Sequence, residues 1–404
     1  MSTVKRELII AGAGTGSIMQ LTPEVKRAVE EADVVFVDER LRAFVPPDKK
    51  VIHIMAWWNL VHESGKVVML VSGDAGIFSL LPIIKRHFPN ENLTVLPGIS
   101  SLQAVCAAAC ETWHDAAIIS GHGLKISRRE LLNTVERKRI TILFCDGVMS
   151  PSWACKNLKC LKNIDVVIGS CLGGENEQIF RGTPCEFSEH KFPSLSIILI
   201  RNSKPYAPER MHLRDEDFIR SENIVMTNES VRSVIMTVLE LKGDSVFWDI
   251  GAGSGSISVS AGNENPFADI HAVECNPKAA ALIRRNSLKF HLHNIAVHRK
   301  RALKAIVKLP KPTHVFIGGS DGELSGILKY ISRIDECVRV VAACVTLETF
   351  AEAYEILKGW ENFGAVQISA VSSKPLTPSL TMMKANNPVM ILSADSKQKF
   401  SIDE

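Results

Sequence analysis

One segment constrains the fold of this chain more than any other. The apolar run Val246–Ile250 leads directly into three alternating glycines, Gly251, Gly253 and Gly255, and then into a helix-like pattern. A strand, a glycine turn and a helix N-terminus in this order are typical of open α/β sheets, where backbone N–H groups approach a ligand closely. Apolar strand-like runs also alternate with helix-like segments along the rest of the chain, beginning with Leu8–Ala11. The predicted fold class is therefore α/β.

The length and one charged segment predict the domain organisation. A chain of 404 residues with 46% hydrophobic residues is long enough for two or three compact domains. The segment 201–220 contains nine charged residues and two prolines, and it shows neither helical nor strand periodicity. We therefore predict a first domain over residues 1–203, a linker over 204–217 and a second domain over 218–404.

Composition excludes several classes of protein. With 47 Lys and Arg against 44 Asp and Glu, the formal charge of +3 is too small for the field that non-specific nucleic-acid binding needs. The longest aliphatic runs, such as Val67–Val71, are far shorter than the roughly 18 residues of a membrane span. The N-terminal residues do not resemble a secretory signal, and the ten cysteines show no spacing typical of disulfides or a metal site. We expect a reduced cytoplasmic protein with no bound metal, no membrane contact and no nucleic-acid partner.

The glycine loop predicts the kind of ligand. A dinucleotide fingerprint would need glycine at position 256, where this chain has Ser256, so the G-x-G-x-G spacing indicates S-adenosylmethionine instead. Glu274 lies nineteen residues after Gly255, at the end of the next strand-like run. Its carboxylate can accept both ribose hydroxyl protons of such a ligand. The alternative is an ordinary strand–turn–helix corner with a surface glutamate.

A second glycine pair marks the predicted substrate side. The run Thr313–Ile317 opens into Gly318 and Gly319, at the strand edge where open α/β sheets place their ligands. Enzymes that methylate base nitrogens usually carry Asn or Asp, two prolines and an aromatic residue here, and this sequence has none of them. Bare glycines would let backbone N–H groups approach a bulky or anionic substrate. A glycine-rich connection without ligand contacts is the alternative.

Three loops of the first half carry a resemblance. Each follows an apolar run and precedes a helix-like segment, and taken singly each could be a plain turn, with Ser100 or Ser101 as a helix N-cap. In this order they resemble the tetrapyrrole methylases, whose first domain has a G-x-G-x-G loop, a G-D-P loop and a P-G-x-S-S loop. The residues here are Gly12, Gly14 and Gly16, then Gly73, Asp74 and Ala75, then Pro97, Gly98, Ser100 and Ser101.

Nearly the whole chain resembles one family. With the loops above, the matching segments of the second half look like the two-domain, decarboxylating precorrin-6Y C(5,15)-methyltransferases of cobalamin biosynthesis. The resemblance implies a two-lobed tetrapyrrole-methylase-type α/β domain followed by a Rossmann-like, class I S-adenosylmethionine-dependent methyltransferase domain. The matching segments are Met226-Thr227, Trp248–Ile257, Glu274–Pro277, Phe316–Glu323, Thr346–Thr349 and Asn387–Val389.

The family resemblance also implies activities and site residues. The first domain would methylate carbon 5 of precorrin-6B or its cobalt analogue. The second would methylate carbon 15 and remove carbon dioxide from a ring acetate. Each domain would bind its own S-adenosylmethionine, Gly12, Gly14 and Gly16 would face the tetrapyrrole, and homo-oligomers are expected. The implied donor residues are Gly73, Asp74, Ser100 and Ser101 in the first domain, and Thr227, Gly251, Ala252, Gly253, Ser254, Gly255 and Glu274 in the second.

The chemistry asks little of catalytic side chains. A methyl sulfonium is already activated, so orientation in a dry pocket, worth about 7 to 11 kcal/mol, does most of the work. Decarboxylation additionally needs one proton. The candidates are Arg232 as a carboxylate anchor, with Glu323 or His122 as proton-handling groups. A helix-surface arginine, a solvated glutamate and a loop histidine are the alternatives.

The sequence departs from the family pattern beside the second donor site. Lys300 and Arg301 stand where the family has the Gly and Asp of a G-D-A-P segment. The change removes an acceptor for the adenine amine and adds a cation beside the second donor site. The first interpretation is a diverged but active enzyme, and a second domain with impaired donor binding is the alternative. Two other functions stay open: an RNA or protein methyltransferase, and a corrinoid-precursor binding protein with an impaired second domain.

Overall fold

The computed structural model describes residues 6–121 and 126–397. The chain divides into two compact units, Met1–Tyr206 and Ala207–Glu404. Within the described ranges, no helix is both long enough and apolar enough to cross a membrane.

The first unit begins with a fully parallel five-stranded sheet in the order β3-β2-β4-β1-β5. Its strands are nearly continuous apolar runs because both faces are covered. Ile9 and Val68 pack towards α1, and Leu8 and Met69 pack on the opposite face, in the cluster that includes Ile84 of α2. The elements are β1 (Arg6–Gly12), α1 (Pro23–Glu31), β2 (Val34–Val37), β3 (Lys50–His53), β4 (Gly65–Val71), α2 (Leu81–His87) and β5 (Leu93–Leu96).

The same unit contains a second five-stranded sheet, in the order β6-β7-β10-β8-β9. Only β6 and β7 pair in parallel in it. Leu102 and Val105 of α3 pack on this second sheet although α3 follows the last strand of the first, so the turn between them leads from one sheet to the other. The elements are α3 (Ser101–Ala109), β6 (Ala117–Ser120), α4 (Arg128–Arg137), β7 (Ile140–Phe144), α5 (Pro151–Leu158), β8 (Ile164–Ser170), β9 (Gln178–Gly182), α6 (Pro184–Phe187) and β10 (Ser196–Asn202).

The second unit is built on a seven-stranded sheet in the order β13-β12-β11-β14-β15-β19-β16, and β17 and β18 form a separate hairpin. The strands from β13 to β15 are parallel, whereas β19 pairs antiparallel with β15 and β16. The elements are α7 (Glu229–Leu239), β11 (Val246–Ile250), α8 (Ser256–Glu264), β12 (Asp269–Val273), α9 (Pro277–Lys289), β13 (Ile295–His298), α10 (Ala302–Ile306), β14 (His314–Ile317), α11 (Leu324–Ile331), β15 (Arg339–Cys344), α12 (Leu347–Leu357), β16 (Glu361–Ile368), β17 (Val371–Thr377), β18 (Leu380–Ala385) and β19 (Val389–Asp395).

The strand order of the second unit determines where a ligand can bind. The chain runs from β11 outward to β12 and β13, and then returns to β14 on the other side of β11. Such a reversal opens a crevice at the carboxyl ends of the two central strands. Phe247 packs with α7 and α8 on one face of the sheet, and Trp248 packs with α11 on the other.

The predicted α/β class is confirmed, because both units are built on sheets whose strands alternate with helices along the chain. The charged segment expected to be a linker is more ordered than its composition indicates. Leu213 and Phe218 are buried in the second unit against Phe290 and Leu292. These two buried residues could not be recognised from the sequence, because two apolar residues among charged ones show no helical or strand periodicity.

Candidate functional site

The glycine loop of the second unit has a backbone that other residues adopt poorly. Gly251, Gly253 and Gly255 all have positive φ, at 71°, 55° and 80°. A Cβ placed on Gly251 would lie 2.3 Å from the carbonyl oxygen of Gly319 and 2.6 Å from its nitrogen. The loop after β11 and the loop after β14 therefore touch backbone to backbone, as the crevice between these strands requires.

Glu274, at the end of β12, is tied to this glycine loop. Its Oε2 accepts a hydrogen bond from the Gly253 N–H at 2.8 Å, and its Oε1 accepts one from the Asn276 N–H at 2.7 Å. An ionised carboxylate has about four acceptor positions, so both oxygens can still accept from the two hydroxyls of a ribose. The structure thus brings the predicted acid and the predicted glycine loop together.

The remaining predicted donor residues surround the same loop. The Ser254 N–H donates to the carbonyl of Val225, which places the segment carrying Thr227 alongside the glycines. The N–H groups of Gly251 and Ala252 both donate to the Val273 carbonyl and anchor the loop on β12. Ser254 is buried, and its hydroxyl has no hydrogen-bond partner among the described residues.

Asp249, the fourth residue of β11, lies directly before the glycine loop and was not singled out from the sequence. Its side chain is fully buried, and its Oδ2 accepts hydrogen bonds from both the N–H and the hydroxyl of Ser258. Burial raises the pKa of this carboxyl to about 6; the Ser258 hydrogen bonds oppose the rise and the charge of Glu274 adds to it. Its Oδ1 has no partner within the described ranges. The sequence signal that could have identified Asp249 is its position: it is an acidic residue at the end of an apolar strand, directly before a glycine loop.

Gly318 and Gly319 do not offer the N–H groups that we expected. Both N–H groups donate to the carbonyl of Ile250, at 2.9 and 3.4 Å, because they extend the pairing of β14 with β11. These two N–H groups are thus engaged within the sheet, and substrate binding by Gly318 and Gly319 stays a prediction. Gly319 instead serves the close contact with Gly251.

Glu323 and Arg301 form an ion pair. Arg301 Nε lies 2.9 Å from Glu323 Oε1, and the other carboxylate oxygen accepts from the Leu303 N–H in the first turn of α10. Glu323 thus takes over the helix-capping task that the N-cap residue, Arg301, cannot perform. Its position supports a structural role rather than proton transfer. The cation expected at this rim, Arg301, is thus paired with Glu323.

Of the other two catalytic candidates, the structure describes only Arg232. Arg232 is buried, and its guanidinium donates to Asp215 at 2.9 Å and to the carbonyls of Thr227 and Leu213. These bonds hold the 213–227 segment onto α7, so the position of Arg232 does not support a role as a substrate anchor. His122 lies outside the described residues.

Three loops converge in the first unit. A Cβ on Gly12 would lie 2.6 Å from the Gly73 carbonyl oxygen, and one on Gly98 would lie 2.4 Å from the same atom. Gly14 and Gly73 also exchange two backbone hydrogen bonds, at 3.2 and 2.8 Å. The predicted G-x-G-x-G, G-D and P-G-x-S-S loops therefore form one backbone-packed cluster.

Asp74 connects two of these loops. Its Oδ1 accepts from the Gly76 N–H at 2.8 Å, and its Oδ2 accepts from the Gly98 N–H at 3.0 Å. Ser100 caps α3 through a reciprocal pair of bonds with Gln103. Both side chains therefore shape the site through backbone contacts.

A cavity of about 690 Å³ opens beside this cluster, with walls from both sheets of the first unit. The four residues predicted for the first donor site, Gly73, Asp74, Ser100 and Ser101, all line it. Gly12, Gly14 and Gly16 are not among its lining residues, although Thr15 between them is. Gly12 is used for loop packing, so its predicted position facing a substrate has no support here.

Each unit thus has a site built from loops at the carboxyl ends of parallel strands. This is the arrangement of a two-domain methyl-transfer enzyme that binds a nucleotide-type donor in each domain. The family described as "Tetrapyrrole (Corrin/Porphyrin) Methylases" matches residues 7–187, and that described as "Precorrin methyltransferase domain" matches residues 219–395. Matches to a tetrapyrrole methylase domain and to a precorrin methyltransferase domain thus account together for most of the chain. The resemblance predicted from the sequence is thereby confirmed.

Named relatives fall into two-unit and one-unit proteins. A precorrin-6Y C(5,15)-methyltransferase [decarboxylating] of Sinorhizobium sp is 26% identical over 368 residues, covering 84% of this chain and 85% of the relative. A cobalt-precorrin-6B C(15)-methyltransferase (decarboxylating) of Salmonella typhi is 32% identical over 189 residues, covering 46% and 97%. A crystal structure of precorrin-6y C5,15-methyltransferase from Geobacter metallireducens GS-15 aligns with 46% of this chain and 98% of its own, at 33% identity and a TM-score of 0.43.

Proposed function

We propose that this chain is an S-adenosylmethionine-dependent C-methyltransferase of cobalamin biosynthesis. It methylates carbons 5 and 15 of precorrin-6B or its cobalt analogue and decarboxylates a ring acetate. Residues 1–203 carry the carbon-5 activity and residues 218–404 carry the carbon-15 activity and the decarboxylation. The observation that carries the proposal is the presence of a separate site built from loops in each unit. A relative that matches the second unit alone is named for the carbon-15 step.

The residues of the second site fit the proposed donor. The glycine loop leaves room for close approach, Glu274 has acceptor positions for ribose hydroxyls, and the unpartnered Asp249 Oδ1 provides a buried acceptor. Bound S-adenosylmethionine supplies an activated methyl group. The chain's own task is then to orient the acceptor carbon and exclude water, which needs no protein nucleophile.

The proposed substrate is a polycarboxylate tetrapyrrole, and cations are placed to meet it. Arg40 lines the first cavity with about half of its side chain exposed, and its Nε lies 3.0 Å from Oδ1 of Asp38, which lines the same cavity. Arg299 and Lys300 are exposed beside the end of β13 in the second unit. A small-molecule partner, a homo-oligomer and a cytoplasmic location complete the proposal, with no nucleic acid or membrane; the formal charge of +3 supports the exclusion of nucleic acid.

Mass spectrometry of the product tests the proposed function. The full chain, supplied with S-adenosylmethionine and reduced precorrin-6, is expected to yield a product two methyl groups heavier and one carbon dioxide lighter. One added methyl without loss of carbon dioxide would contradict the two-activity proposal. Transfer of a tritiated methyl group to RNA, with none to corrinoids, would support the RNA methyltransferase instead.

A variant of Glu323 separates its structural role from proton transfer. We expect Glu323→Ala to lower the free energy of unfolding of the second unit by about 1 kcal/mol, because the Leu303 N–H loses its acceptor at the start of α10. Decarboxylation should continue. Urea unfolding and product mass measure the two effects, and the exposed Glu348→Ala serves as the control. Unchanged stability with loss of decarboxylation would restore Glu323 as a proton-handling group.

A further inference from the structure

Phe78 combines three features that its role in the fold does not explain. It has a φ of 47°, which side chains other than glycine rarely adopt. Its side chain is 53% exposed although it is large and apolar. It also lines the first-unit cavity, together with the donor-site residues Gly73 and Ser100.

The backbone around Phe78 is fixed on both sides. On its N-terminal side, the Gly76 N–H donates to the Asp74 carboxylate and the Ile77 N–H donates to the Asp74 carbonyl. On its C-terminal side, the Ser79 hydroxyl donates to the Ala75 carbonyl and accepts from the Leu81 N–H. An unfavourable φ held between such anchors is typical of functional sites, where the surroundings impose a required side-chain direction.

The ring of Phe78 reaches from the first sheet to the second. It packs edge to face on Phe144, at the end of β7, with ring centroids 5.1 Å apart and an interplanar angle of 69°. Phe144 lines the same cavity. This aromatic pair therefore spans the cavity wall, and Phe144 fixes the orientation of the Phe78 ring.

Further apolar side chains with exposed surface line the cavity around the pair. Met55, Ile83 and Leu195 also line it, and all three are large apolar side chains with more than a third of their surface exposed. Exposed apolar side chains within a concave site indicate a ligand with a broad apolar surface. A flat, conjugated ring presents such a surface, and aromatic side chains pack on it in offset or edge-to-face geometry.

We propose that Phe78 is the aromatic platform on which the tetrapyrrole ring packs in the first unit, oriented by Phe144. The proposal rests on the proposed function and adds a specificity-determining residue to it. The ring carries the carbon to be methylated, so the platform sets its distance from the donor held by the neighbouring loops.

The test uses the full chain with Phe78→Gly, Phe78→Tyr and a matched control. Glycine adopts positive φ readily, so Phe78→Gly removes the ring without adding backbone strain. Asn163→Gly is the control, because Asn163 also has a positive φ, of 62°, in the first unit but does not line the cavity. For Phe78→Gly we expect at least a tenfold rise in KM for carbon-5 methylation, with unchanged S-adenosylmethionine affinity by calorimetry. Phe78→Tyr and Asn163→Gly should keep the original KM.

The second unit provides an internal reference in the same reaction. With Phe78→Gly, the singly methylated, decarboxylated product should accumulate, since carbon-15 methylation and decarboxylation do not use this cavity. An unchanged KM for carbon-5 methylation would contradict the proposal that Phe78 packs on the tetrapyrrole ring. A lower affinity for S-adenosylmethionine in place of the higher KM would contradict it as well.

A binding measurement separates this inference from the proposed function. Absorbance titration with the tetrapyrrole needs no turnover. If the unmodified chain binds the tetrapyrrole without methylating it, the proposed function fails, and a tenfold weaker binding by Phe78→Gly still supports the platform. If the unmodified chain methylates and Phe78→Gly binds equally well, only the platform fails. If the unmodified chain neither binds nor methylates the tetrapyrrole, both fail.

Discussion

Gly251→Ala is expected to abolish methyl-donor binding in the second unit, leaving one S-adenosylmethionine per chain in place of two. The added Cβ would lie 2.3 Å from the Gly319 oxygen and 2.7 Å from its Cα, and both atoms belong to backbone held by Ile250. The positive φ of 71° adds roughly 1 to 2 kcal/mol of strain for any L-residue. The loop must move, and the Gly253 contact with Glu274 moves with it.

Calorimetric titration of the full chain measures this loss directly. The product should then carry one added methyl and keep its carbon dioxide. Gly243→Ala is the matched control, because Gly243 lies in the same unit, has no positive φ and has nothing within 4 Å of an added Cβ. Retention of two donor sites by Gly251→Ala would mean that the donor does not use this loop.

Asp249→Asn is expected to remove a pH dependence from the second unit and to weaken its donor site at least tenfold. The carboxyl has a pKa of about 6 in the folded chain against an ordinary value of 3.8. Because the folded-state pKa is raised, the protonated Asp249 carboxyl adds to the free energy of unfolding. This contribution is complete below about pH 4 and is lost as the pH rises through 6. At about 1.4 kcal/mol per pKa unit, the loss is of the order of 3 kcal/mol in the original chain.

Unfolding followed from pH 4 to 7.5 measures this difference, with the transition of the second unit identified by its shift in Gly251→Ala. The asparagine variant should show no such fall over this pH range, while donor affinity decreases because the unpartnered Oδ1 becomes an amide donor. Asp244→Asn, at an exposed position of the same unit, is the control. If the free energy of unfolding changed with pH in the same way in the original chain and in Asp249→Asn, the pH dependence could not be assigned to Asp249.

The backbone of both sites could be predicted from the sequence, and most of the side-chain assignments could not. Glycines after apolar strands identify turns that need positive φ, so Gly251 and Gly73 were found by local rules. The roles of Arg232 and Glu323 depend on Asp215 and Arg301, which lie seventeen and twenty-two positions away in the chain. No local pattern indicates such partners.

The backbone hydrogen bonds of Gly318 and Gly319 illustrate the same limit. A glycine pair after a strand predicts open N–H groups only if the neighbouring strand ends earlier, and here the Ile250 carbonyl accepts both. Asp249 was missed for a related reason, since a single acid in an apolar run shows its burial only when the helix that covers it is known. Sequence periodicity describes one element, whereas a site depends on several.

The contacts of Glu274 make the proposed second donor site preorganised. Its carboxylate is held by the N–H groups of Gly253 and Asn276 before any donor arrives. Little conformational entropy then remains to be lost on binding, so the free energy of the donor's hydrogen bonds is retained as affinity. Removing this carboxylate would disorder the loop as well as delete an acceptor. Recognition of the donor and ordering of the loop are therefore coupled through one side chain.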